Sequence, residues 1–90
     1  MVIKAYKVRV YGDVQGVGFR ARVKHFADLY KVHGYVRNLP DGSVEIHVEG
    51  DEQNVNIFLE VIKRLKDYEI WDIVIENSVV KGYEDFYIVP

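Results

Sequence analysis

Gly12-Asp13-Val14-Gln15-Gly16-Val17-Gly18-Phe19-Arg20 sets two closely spaced glycines and a fixed positive charge between an alternating segment and a helical one. Upstream, Tyr6, Val8 and Val10 alternate with Lys7, Arg9 and Tyr11 as a half-buried strand requires. Downstream, Phe19, Val23, Phe26, Ala27 and Tyr30 recur at helical spacing. The stretch therefore joins a strand to a helix. Backbone N–H groups at such a junction stand unpaired, and Gly16 and Gly18 can take the angles that turn several of them toward one oxyanion. Arg20 adds a guanidinium that is charged at any working pH and makes paired hydrogen bonds to a phosphate. Val14, Gln15, Gly16, Val17, Gly18, Phe19 and Arg20 thus read as an anion cradle.

Working outward, the first strand covers about residues 3–12 and the first helix about 19–31. A second strand runs from Gly34 through Leu39, and Pro40-Asp41-Gly42 is a hairpin turn. In the third strand Val44, Ile46 and Val48 alternate with Glu45, His47 and Glu49, which predicts one buried face and one solvated face. Gly50-Asp51 ends that strand and caps a second helix, whose Val55, Phe58, Leu59, Ile62 and Leu65 share a face. Asp51 and Glu52 at its start, and Lys63, Arg64 and Lys66 at its end, suit the helix dipole. A fourth strand is expected from about Glu69 to Val80 and a short fifth from Phe86 to Val89, with Gly82 turning between them.

This order predicts an α+β ferredoxin-like sandwich over residues 1–90, a single βαββαβ domain with two helices on one face of a four- to five-stranded antiparallel sheet. Strands one and two are joined through a helix, so they run the same way and their carboxyl ends share one edge of the sheet. Arg20, just after the first, and Asn38, near the end of the second, are expected to meet there. Asparagine is no base, but its amide both donates and accepts, so Asn38 can orient a water against a phosphoryl group in the cradle. No histidine, carboxylate or lysine is placed to protonate a departing alkoxide, which favours a substrate whose leaving group departs unaided.

The same residues carry a resemblance. Gly12 to Arg20 is similar to the G-x-V-Q-G-V-G-F-R signature of the acylphosphatases, and Gly34-Tyr35-Val36-Arg37-Asn38, Asp41-Gly42-Ser43-Val44-Glu45 and Gly50 resemble that family's second block. Phe86-x-Ile88 fits its C-terminal pattern, so the likeness spans nearly the whole chain. It implies the ferredoxin-like fold and metal-independent hydrolysis of acyl phosphates to a carboxylate and inorganic phosphate. It also implies that Arg20 binds phosphate and Asn38 orients the water. Two departures stand out. Where the family has Leu-Gly-Leu after the first helix this chain has Tyr30-Lys31-Val32, so the helix is expected to end without a glycine cap, and Asp13 replaces a residue that is basic or neutral in many relatives.

Composition narrows the alternatives. The 49% hydrophobic and 29% charged fractions belong to a globular domain and not to a disordered chain, and 90 residues suffice for one core. A net charge of −2 argues against nucleic acid as partner. With no cysteine and no ligand spacing among His25, His33 and His47, neither a metal nor another cofactor is expected. The first residues lack a signal-peptide core and no apolar run reaches membrane-spanning length, so the expectation is a cytoplasmic protein, monomeric by preference, acting on a small acyl phosphate and not on a membrane. Gly16-x-Gly18-x-x-Ala21 formally fits a dinucleotide fingerprint, but one crossover followed by a hairpin cannot supply the parallel sheet. An RNA-recognition module would need aromatic residues on its central strands, and Tyr11, Tyr35 and Trp71 read instead as packing residues. An accessory acylphosphatase-like domain is the remaining alternative, and the domain is expected to stand alone.

Overall fold

The alternating segment before the cradle forms β1 (Ile3–Asp13) in the computed structural model, which describes all 90 residues. The chain continues through α1 (Phe19–Leu29), β2 (His33–Asn38), β3 (Val44–Asp51), α2 (Glu52–Lys63), β4 (Glu69–Asn77) and β5 (Phe86–Val89). The strands make one sheet in the order β4-β1-β3-β2-β5. Both helices cover the same face, giving the ferredoxin-like α+β arrangement. No helix is long and apolar enough to cross a membrane.

Register places the core. Val8 and Val36 both lie opposite Ile46, from β1 and β2 respectively, and this row is fully buried beneath the helices. Phe19, Val23 and Ala27 of α1 and Val55, Phe58, Leu59 and Ile62 of α2 close over it. Each of these side chains larger than alanine contributes about 1.5–3 kcal/mol by leaving water. The Asp51 carboxylate caps α2 by accepting from Gln53 N at 3.1 Å.

Four details differ from expectation. The sheet is mixed, because β5 pairs with β2 in parallel. The reason is topological: β4 runs antiparallel to β1, and the chain crosses to the far edge before reversing, so β5 takes the direction of β1 and β2. β4 ends at Asn77 and not near Val80, since residues 78–85 make that crossing outside any strand.

The end of α1 has its αL residue without a glycine. Lys31 adopts φ 58°, its N–H donates to Asp28 O at 3.3 Å, and Val32 N donates to Ala27 O at 3.0 Å, the paired bonds of a Schellman motif.

The polar face of β3 is not solvated. Glu45 and Glu49 are each 4% exposed and His47 is wholly buried. Alternation correctly separates the two faces, but strands on either side and the crossing segment cover the second one with polar and aromatic groups. Trp71, expected to pack, is 74% exposed on edge strand β4.

Candidate active site

The loop after β1 enters α1 through Gly18, the helix N-cap, at φ 80° and ψ 14°, and Gly16 also has positive φ, at 75°. An added Cβ on Gly18 would meet nothing within 4 Å, so the requirement for glycine there comes from backbone conformation and not from crowding. Gly18 offers no capping side chain and the first turn of α1 holds no acid, which leaves the positive end of the helix open to an anion.

A cavity of about 190 Å³ lies against this helix end, lined by Val14, Gly16, Gly18, Phe19, Arg20, Ala21, Asn38 and Ile88. The shared carboxyl edge of β1 and β2 thus carries Arg20 and Asn38 to one cavity. Arg20 is in the first turn of α1, and its Nη1 donates to the main-chain carbonyl of Val89 at 3.2 Å. Asn38 is the last residue of β2, and its Oδ1 is buried without a hydrogen-bond partner. Asn38 lines the cavity, and a buried amide oxygen left unpaired costs about 1–3 kcal/mol, so a donor reaching it would be favoured.

The remaining cradle residues divide by role. Val14 and Phe19 line the cavity but are rooted in the core at 1% exposure, with Phe19 packed edge-on against Tyr68 at 5.2 Å. Val17 is 47% exposed at the loop tip and does not line the cavity. Gln15 turns away from it: Nε2 donates to the carbonyls of Leu39 and Ser43, at 2.8 Å each, and so braces the cradle against the hairpin that follows Asn38. That hairpin is itself stiffened by the Asp41 carboxylate, which accepts from the hydroxyl and amide of Ser43. The two Ser43 donors, hydroxyl first, hold the Asp41 carboxyl below its ordinary range. Asp13 is exposed and stands outside the cavity.

Three contributors escaped the sequence reading: Ala21 in the wall and, from β5, Ile88 in the wall and Val89 as the Arg20 acceptor. The Phe86-x-Ile88 pattern marked that strand as regular, but only the parallel β2–β5 pairing, with Val36 opposite Ile88, brings it to the cavity. A larger depression of about 520 Å³ lies on α2 between Asn56 and Leu65, but its one cation, Arg64, is paired with Glu60 at 3.7 Å and no donors converge there. No group of three or more histidines or acids is placed to hold a metal ion.

Comparison with known proteins identifies the family and the fold. The acylphosphatase family model matches residues 6–88. An acylphosphatase of Thermotoga maritima is 47% identical over 87 residues, 96% of this chain and 97% of that protein. The crystal structure of an acylphosphatase from Bacillus subtilis superposes with a TM-score of 0.91 at 38% identity, covering 99% of this chain and all of the other. T. kodakarensis HypF, with a TM-score of 0.80 and 40% identity, covers 94% of this chain with 11% of its own, so a similar unit also occurs within a longer protein.

Proposed function

Because the chain belongs to the acylphosphatase family of enzymes, we propose that it hydrolyses the carboxyl–phosphate bond of small acyl phosphates, without a metal, to a carboxylate and inorganic phosphate. The observation that carries this reading is the meeting, around one cavity, of an open helix end, Arg20 and Asn38, whose Oδ1 is buried without a partner. The loop amides and Arg20 hold the phosphoryl oxygens and neutralise charge as it builds up. Asn38 Oδ1 accepts a hydrogen bond from a water and fixes it for attack on phosphorus. The new P–O bond forms as the bond to the acyl oxygen breaks, the bonding pair leaves with the carboxylate, and the surplus proton of the water departs with the phosphate.

No acid is required at the leaving group, since a carboxylate with a pKa near 4 departs unprotonated. That matches a cavity lined by glycines, apolar side chains, one arginine and one asparagine. The test is phosphate release from acetyl phosphate beside a phosphate monoester, each with excess EDTA. Turnover of acetyl phosphate alone, unaffected by EDTA, is the expected result. Equal rates on both, no turnover of the acyl phosphate, or a loss in EDTA that divalent ions restore would overturn it.

A further inference from the structure

Glu45 and Glu49, buried on the sheet face opposite the helices, each fix one wall of a second cleft. Glu45 Oε1 accepts from the Tyr35 hydroxyl at 2.8 Å and from Arg37 Nε at 2.9 Å. Glu49 accepts from three consecutive main-chain amides of the crossing segment, Lys81 at 2.9 Å, Gly82 at 2.8 Å and Tyr83 at 3.1 Å, and from His47 Nε2 at 2.8 Å. Between these walls lies a depression of about 370 Å³ lined by Tyr35, Arg37, Lys81, Tyr83, Tyr87 and Val89. Burying a carboxylate costs several kcal/mol unless donors surround it, so two of them spent on holding these side chains make a preorganised surface.

The lining has a definite chemistry. Tyr83 sits among the aromatics, with its ring 6.0 Å from that of Tyr35 and 6.3 Å from that of Tyr87, and the Arg37 guanidinium lies 5.8 Å over the Tyr35 ring. Arg37 and Lys81 are exposed at the rim and no carboxylate lines the cleft. The two glutamates beneath are engaged by their own donors. Register keeps this cleft apart from the candidate active site: Tyr35 lies opposite Tyr87 and Arg37 opposite Val89, while Val36 and Ile88, one residue away, face the other side.

We propose that this cleft is a binding site for a planar aromatic ring carrying a carboxylate or phosphate, the ring against the tyrosines and the anion between Arg37 and Lys81. Aromatic faces and edges give stacking, the Lys81 ammonium makes no ion pair, and Arg37, whose Nε is held by Glu45 at 2.9 Å, keeps both Nη groups for an anion. An aryl carboxylate and a nucleoside monophosphate share this chemistry.

The experiment is an NMR titration of the full chain with 2-naphthoate and with AMP, using adenosine, ribose 5-phosphate and orthophosphate as controls. Saturable shifts at Tyr35, Lys81, Tyr83 and Tyr87 with at least one of the two aromatic anions are expected; 2-naphthoate alone assigns the site to aryl carboxylates and AMP alone to nucleotides. Ribose 5-phosphate and orthophosphate should leave these residues unmoved. Tyr83→Leu keeps the main-chain clamp on Glu49 and should weaken binding about tenfold, with an unchanged melting temperature, and Lys81→Ala provides a second variant that leaves the aromatic cluster intact. No saturable shift with either anion, equal binding of adenosine and AMP, or full affinity in both variants would overturn the proposal. Acyl phosphate turnover is measured separately, so either reading can fail alone.

Discussion

Arg20 Nη1 donates to the main-chain carbonyl of Val89 at 3.2 Å, so the first turn of α1 is tied to the final strand of the sheet. A guanidinium has five N–H donors in a rigid fork, and anchoring one of them to β5 fixes the plane in which the others face the cavity. In Arg20→Lys the charge survives but the fork does not. The expected outcome is a fall in kcat/KM for acetyl phosphate on the order of 10²-fold, with the thermal midpoint little changed. Steady-state kinetics beside a melting curve checks this, and near-normal turnover would reduce Arg20 to a surface charge.

Asn38→Ala separates chemistry from binding. Its Oδ1 bonds nothing in the fold, so removing it breaks no hydrogen bond made by that atom, while Arg20 and the loop amides remain. kcat and kcat/KM should fall together on the order of 10²-fold. The inhibition constant of inorganic phosphate, competitive with substrate, should stay within a few-fold of the parent. A variant that loses phosphate affinity and melting temperature in step with activity would mark Asn38 as structural.

Lys31 holds a conformation that glycine adopts at no steric cost. An L side chain in the left-handed region costs about 1–2 kcal/mol, of which the extra unfolded-state freedom of glycine cancels about 0.4–1. Lys31→Gly should therefore stabilise the protein, by at most about 1.6 kcal/mol, read as a higher midpoint in urea at constant m-value. An unchanged or lower midpoint would show that the lysine side chain compensates for its backbone.

Acid should loosen the outer sheet face before the core. Burial raises the Glu49 carboxyl, but the amide of Lys81, His47 and the amides of Gly82 and Tyr83 outweigh it, and the net shift is downward. Glu45 behaves alike, with Tyr35 and Arg37 overcoming burial. A carboxyl with a depressed folded-state pKa contributes stability in full above its unfolded value of about 4.3 and loses it as the pH falls through the folded value. Melting temperature should fall below about pH 4.3, and Glu49→Gln should be less stable at neutral pH with a shallower acid decline. Parallel acid profiles for the two proteins would remove Glu49 from the account. Tyr35 stays a neutral donor throughout, since burial and then Glu45 push it up to about 12.

Local signals in the sequence carried the element types, the cap at Asp51 and the meeting of Arg20 with Asn38, because each depends on periodicity, a capping residue or a forced strand direction. Less legible were features created by chain segments far apart. Glu45 and Glu49 read as solvated because alternation reports which face a residue occupies but not what covers that face. Ile88 and Val89 reached the cavity through a parallel edge pairing that no spacing encodes. Gln15 was legible as a member of the loop, but its side-chain bonds to Leu39 and Ser43, which brace the loop against the hairpin, join segments that the motif does not connect.

The strand order β4-β1-β3-β2-β5 contains one pairing between sequence neighbours, the β2–β3 hairpin, and three between segments separated by whole elements. Each distant pairing must close a long loop before its contacts return any free energy, which slows folding relative to a chain held by local contacts. The hairpin that presents Asn38 can form early, whereas the bond from Arg20 to Val89 spans nearly the whole chain and waits for the last strand. During synthesis from the N-terminus, then, the polypeptide acquires its cradle sequence early but cannot complete the cavity until β5 has been made and docked.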